Sequence, residues 1–155
     1  MRSRLLATGL GGMLLGSCGS PAAPGSDDFV RFLRSTSGFC APDHDCQGGI
    51  EIEGTGVLRV DPTGVMVGGL PPANYQAQLS TGDLAETKRR LTDAAFVAAL
   101  AASEACLPEI ADVHETMELE LESRTYRRSV ASCVDPALRS VRSYLDALLA
   151  RYPPR

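Results

Sequence analysis

The sequence contains no tryptophan, and Lys88 is its only lysine. Aromatic residues make up 5% of it, so any core must be built from aliphatic side chains and held by other means as well,. Histidine occurs only at His44 and His114. A Ser-His-Asp triad needs a histidine beside a nucleophile. His44 instead sits between Asp43 and Asp45 in a turn-rich stretch, where a solvated turn explains it. His114-Glu115 is not part of an H-E-x-x-H pair, so a zinc-hydrolase reading fails. The formal charge is −4, which is unsuited to gripping nucleic acid or anionic lipid,. No later segment approaches the roughly 20 consecutive apolar residues that a membrane span needs.

What is present begins at the N-terminus. Arg2 and Arg4 precede an apolar run over residues 5–15. As a helix this run is about 16 Å long, roughly half of a bilayer core, which suits a leader and not a span. It ends in Leu15-Gly16-Ser17-Cys18, which resembles the lipobox of bacterial lipoproteins. The resemblance implies cleavage before Cys18 and a thioether to diacylglycerol on its sulfur. Two or three acyl chains, at about 0.8 kcal/mol per buried methylene, then anchor the chain to a membrane. Gly19 follows in place of an aspartate, which favours the outer membrane over the inner. Loss of Arg2 and Arg4 with the leader moves the charge from −4 to −6. The expected organisation is a signal peptide over residues 1–17, a lipidated tether over 18–27, and one domain over 28–152.

Four further cysteines remain: Cys40, Cys46, Cys106 and Cys133. In an exported chain an even number reads as disulfides. Of three possible connectivities, Cys40–Cys46 and Cys106–Cys133 are preferred. The first closes a short loop in which proline and aspartates already favour turning. The second ties the end of a helical region to the segment before the last helix. Chain entropy gives about 2.4 kcal/mol for the short loop and about 3.6 kcal/mol for the long one.

Periodicity predicts strands over residues 29–35, 50–53 and 57–61, the last two forming a hairpin with Ile50, Ile52, Leu58 and Val60 inward. A turn follows at Asp61-Pro62-Thr63-Gly64. A short strand over 65–67 and another from Tyr75 to Leu79 are expected around an irregular stretch over 68–74. Ser80 or Thr81 caps a helix, and Thr92-Asp93 resets the cap, leaving one kinked helix or two. Residues 116–122 alternate Met117, Leu119 and Leu121 with three glutamates, a strand with an acidic solvent face. A turn at Ser123-Arg124 returns the chain with Leu121 opposite Tyr126, Met117 opposite Val130 and Glu120 opposite Arg127. Asp135 caps the last helix with Pro136 at its first position, and Pro153-Pro154 ends it. Two small sheet segments and two helical regions predict an α+β fold: an antiparallel sheet with helices on one face, stapled by disulfides.

This order, with its Leu91-Thr92-Asp93-Ala94-Ala95-Phe96 break and its helix opening Asp135-Pro136-Ala137-Leu138-Arg139-Ser140-Val141, resembles small bacterial lipoprotein domains of unknown function. It is similar, more distantly, to emfourin-type proteinaceous inhibitors of metallopeptidases. The resemblance covers residues 28–150 and assigns no inhibitory residue.

No catalytic constellation emerges. Cys133 precedes a helix N-terminus, which would lower a free thiol's pKa, but a structural disulfide is the preferred reading in this compartment. Glu118, Glu120 and Glu122 lack the enclosing cleft of a glycosidase pair. The cysteine loop with His44 is read as disulfide and turn, not as a metal site. No metal and no cofactor is expected. One segment carries a binding expectation, residues 65–74. If exposed, Met66, Leu70 and Pro71 form a loop that docks into a partner's groove. If packed on the sheet edge, Met66 and Leu70 belong to the core, the commoner fate of such side chains and the preferred reading. The expected function is a non-catalytic, lipid-anchored binding or structural module of the bacterial envelope. It meets the membrane through acyl chains on Cys18, has an envelope protein as partner, and binds no nucleic acid. The alternative is a peptidase-inhibitor-like regulator.

Overall fold

The computed structural model describes residues 28–39, 41–103, 106 and 113–154. Cys18, the leader, the tether before Asp28 and Cys40 lie outside the described residues. The strands are β1 (Phe29–Gly38), β2 (His44–Asp45), β3 (Gly48–Glu53), β4 (Val57–Asp61), β5 (Gly64–Val65), β6 (Tyr75–Gln78), β7 (Val113–Leu121) and β8 (Thr125–Ser129). The helices are α1 (Thr81–Leu91), α2 (Ala94–Ala101) and α3 (Pro136–Arg151). Six strands form one antiparallel sheet in the order β6-β4-β3-β1-β7-β8, and β2 and β5 form a separate two-stranded ribbon. The two sheet segments expected from the sequence are therefore one sheet. The first strand joins them, pairing with β3 on one side and β7 on the other.

Alternation explains which sheet face is covered. Ile50, Ile52, Leu58, Val60, Met117, Leu119 and Leu121 are all buried. They meet Leu91, Phe96, Leu100, Leu138, Val141, Leu145 and Leu148 from the helices in one core. The Phe32 and Phe96 rings, 6.2 Å apart, couple β1 directly to α2. Each large aliphatic side chain buried in this way contributes roughly 1.5–3 kcal/mol. Strict alternation would send Phe29 and Phe32 to opposite faces. A register shift between Phe29 and Arg31 inserts an extra residue, and both rings turn inward,.

The β7–β8 hairpin departs from the expected register. Leu119, not Leu121, faces Tyr126; Met117 faces Arg128, not Val130; and Glu118, not Glu120, faces Arg127. The loop is Glu122-Ser123, closed by Leu121 N–H to the Arg124 carbonyl at 2.8 Å and its reciprocal at 3.3 Å. Moving the turn back one residue slips the register by two, so every side chain keeps its face. Arg128 does point inward, and its guanidinium donates to the Ala99 carbonyl of α2.

The helix starts follow capping chemistry. Ser80 Oγ accepts from Asp83 N–H, Asp93 accepts from Ala95 N–H, and Asp135 accepts from the amides of Ala137 and Leu138,. The chain between residues 81 and 101 thus forms two helices, each with its own cap. Asp83 also accepts from the hydroxyl of Tyr152 (2.7 Å) and pairs with Arg151 (2.8 Å), fastening the start of α1 to the end of α3. The Tyr152 hydroxyl is the chief influence holding the Asp83 carboxyl below its usual range.

Candidate functional site

The uncovered sheet face is polar and internally paired. Arg31 of β1 reaches Glu118 (3.0 Å), Glu120 (3.1 Å) and Glu51 (3.6 Å). Arg59 pairs with Glu51 (3.2 Å) and with Glu53. The acidic row of β7 is thus one side of a cross-strand ion ladder. At the end of the sheet, a shallow depression of about 520 Å3 is floored by Gly48 and Gly49 and rimmed by Arg59, Asp61 and Asn74. Gly48 is required there, because a Cβ would stand 2.6 Å from the Asp61 carbonyl oxygen.

The ribbon rises from this same end of the sheet. His44 faces Val65, Asp45 faces Gly64, and Met66 N–H donates to the Asp43 carbonyl at 2.8 Å. Beyond it, Val67 and Leu70 exchange two backbone hydrogen bonds, at 3.0 and 3.2 Å. The two residues between them are Gly68 (φ +65°) and Gly69 (φ +80°). Two successive positive φ values define the tight turn that matches strand twist, and glycine takes them without steric cost. A Cβ at either position would meet nothing within 4 Å, so conformation and not space selects glycine here.

This geometry holds apolar side chains in water. Val65 is 56% exposed, Val67 80% and Leu70 70%. Phe39, which opens the connection leading to β2, is 85% exposed. The expected burial of Met66 and Leu70 on the sheet edge is therefore corrected. Leu70 and Pro71 are exposed, and Met66 is half-buried. The cause is the Gly-Gly turn, which carries the segment away from the sheet as part of its own ribbon. Phe39, Val65 and Val67 were not singled out from the sequence. The Gly68-Gly69 pair between apolar residues was the available signal for them.

The acidic strand of the ribbon lies beside this apolar one. Asp43 and His44 are exposed, and His44 Nδ1 stands 3.0 Å from Asp43 Oδ1. That hydrogen bond is the main reason the Asp43 carboxyl is held below its usual range. No lysine or arginine occurs in residues 39–47 or 62–74. Among the described residues, no group of three or more metal-ligating side chains is gathered.

Cys106 and Cys133 form a disulfide, as expected. Cys46 is also disulfide-bonded. Its expected partner Cys40 lies outside the described residues, as does the expected lipidation site Cys18. A buried ionic cluster escaped the sequence reading altogether. Glu115 is 7% exposed and is held between Arg34 (2.7 Å) and Arg142 (2.7 Å), with Asp146 3.3 Å from Arg34. Arg142 also donates to the carbonyls of Cys133 (3.1 Å) and Val130. The cluster joins β1, β7, α3 and the disulfide, and its groups are satisfied by one another. Among the described residues, no helix is long and apolar enough to cross a membrane. No protein-family model matches this chain, and no curated protein matches it.

Proposed function

We propose that this chain is an exported bacterial lipoprotein, anchored by acyl chains on Cys18, whose domain binds an envelope protein through the β2–β5 ribbon without catalysing a reaction. The observation that carries the binding role is the row of exposed apolar side chains, Val65, Val67 and Leu70, on a hydrogen-bonded ribbon. Exposing three such side chains forgoes several kcal/mol of burial, which a partner's groove would restore. The acids beside them favour a groove rimmed by basic residues and disfavour an anionic bilayer. The leader and the Leu15-Gly16-Ser17-Cys18 box support the anchor.

The test is affinity capture of the full chain from its own envelope, comparing wild type with the double variant Val67→Asp, Leu70→Asp. Both side chains are exposed, so the domain keeps its stability and the specific partner disappears. An unchanged set of captured proteins overturns the ribbon's role. The anchor is checked separately by intact mass and by partition in a detergent split, where Cys18→Ser moves the protein to the aqueous phase. Peptidase inhibition is the second reading, favoured by the protruding apolar tip stiffened by Pro71-Pro72, a shape that fills a cleft. It requires slowing of a secreted metallopeptidase at near-stoichiometric ratio.

A further inference from the structure

The two outer strands of the sheet are finished differently. At one edge, β8 carries Arg127, 74% exposed at its side chain, and Arg128, which reaches across to α2. Charged side chains on an edge discourage a further strand from adding to it. At the other edge, β6 reads Tyr75-Gln76-Ala77-Gln78 and carries no charge. Among the described residues, its only neighbour in the sheet is β4.

The hydrogen-bond phase of this edge can be read from its flanks. Leu79 N–H donates to the Gly56 carbonyl at 2.9 Å, in line with the register in which Ala77 faces Leu58 and Tyr75 faces Val60. Alternation in an antiparallel pair then turns the backbone groups of Tyr75, Ala77 and Leu79 toward β4. It turns those of Gln76, Gln78 and Ser80 the opposite way. At Ser80 the outward donor already has a partner: its N–H is met by the Tyr152 hydroxyl at 2.8 Å. Gln76 and Gln78 lie further along the same side, facing a groove. That groove is lined by all four residues of β6 and by Arg151, Tyr152 and Pro153, and it has a volume of about 640 Å3.

We propose that this groove is a strand-addition site, taking an extended segment of a partner protein along β6. The segment forms a seventh strand. Antiparallel to β6, it exchanges two backbone hydrogen bonds with Gln76 and two with Gln78. Pleating dictates its side chains. Residues opposite Gln76 and Gln78 share the polar outer face. The residue between them, opposite Ala77, shares the side bearing Ala77 and Tyr75. The ligand therefore reads polar, apolar, polar, with no charge demanded by the strand it pairs with. Tyr152 closes the Ser80 end, so the segment is limited to the Tyr75 side of that hydroxyl. The site is separate from the ribbon and stands whether or not the ribbon binds anything.

The test titrates the blocked pentapeptide Thr-Val-Thr-Gln-Thr, which runs from opposite Gln78 past Tyr75 and stops short of Ser80, into the 15N-labelled full chain in detergent. The expected result is that the Gln76 and Gln78 amides shift and their hydrogen exchange slows. Gln76→Ala keeps the backbone groups and binds within twofold of wild type. Gln76→Pro removes the outward N–H and weakens binding by at least tenfold. The same peptide N-methylated on alternate residues, in either phase, supplies a control that leaves the protein's fold untouched. Methylation in the phase facing β6 abolishes the shifts. The proposal is overturned if the Gln76 and Gln78 amides do not respond, or if both methylated peptides bind as well as the parent. It is also overturned if these amides shift with protein concentration alone, which would assign the edge to a second copy of this chain.

Discussion

Side chains on the covered face of the sheet divide by how their surroundings are set. Ile50, Ile52, Met117 and Leu119 were legible, because strict alternation with polar neighbours leaves one face for the core. Glu115 and Arg34 occupy the same inward rows and break the pattern. Their burial depends on meeting one another across β1 and β7 and on Arg142 arriving from α3,. Nothing local to residue 115 announces that. Removing one member of such a cluster leaves buried charge without compensation, which is costlier than never having had the cluster. Glu115→Ala takes the buried carboxylate away from two arginines of which 18% of each side chain is exposed, leaving Arg34 with the exposed Asp146 and Arg142 with the Cys133 and Val130 carbonyls. It should lower the unfolding free energy by about 3 kcal/mol. The check is urea denaturation followed by circular dichroism. An unchanged midpoint would mean that water reaches both guanidinium groups and that the cluster is ornamental to stability.

Among the elements, helices with chemical caps were the most legible. Asp135 with Pro136, and Ser80 with Asp83, state their boundaries within four residues,. Turns were harder. The β7–β8 register depended on which two residues form the loop, and the face pattern is the same for either choice. The ribbon was harder still, because residues 68–74 were read together as irregular chain, whereas Gly68-Gly69 form a tight turn between Val67 and Leu70. The turn prevailed since its positive φ angles need no Cβ-bearing residue at either central position. This makes a selective prediction. Gly69→Val forces a β-branched residue to φ near +80°, at a cost of about 1–3 kcal/mol,. The ribbon contributes no fully buried side chain, so that cost falls locally. Global unfolding in urea should shift by under about 0.5 kcal/mol, while exchange of the Met66 amide, bonded to Asp43, accelerates. Partner capture through the ribbon should weaken in parallel. A large loss of global stability would instead make the ribbon an integral part of the fold.

For the molecule as a whole, class was legible and sheet order was not. Helical and strand periods in succession point to α+β, but the pairing of β1 with β7 joins residues separated by about half of the chain, and no local signal specifies it,. The Cys106–Cys133 disulfide acts on this long-range organisation. It links the connection between α2 and β7 to the connection between β8 and α3, across a sequence separation of 27. A cross-link stabilises chiefly by restricting the unfolded chain, and more so for a longer loop. Chain entropy assigns about 3.6 kcal/mol to this bridge, against about 2.4 kcal/mol for the short loop expected to end at Cys46. Folded domains of this size are stable by only about 5–15 kcal/mol. The Cys106→Ser, Cys133→Ser double variant should therefore fold but unfold at clearly lower urea, with the loss near 3 kcal/mol. Cys40→Ser with Cys46→Ser should lose less. Cys133 is itself 8% exposed and lies beside the Arg142 contact to its carbonyl, so a serine there also costs some packing. Reducing the Cys106–Cys133 bridge in the Cys40→Ser, Cys46→Ser background, compared with the double variant made in that same background, separates the two effects, because reduction leaves both sulfur atoms of this bridge in place and no second bridge is broken. If the reduced protein is destabilised as much as the double variant, the cross-link carries the effect. If reduction leaves the midpoint where it was, the core and the Glu115 cluster hold these two connections without it.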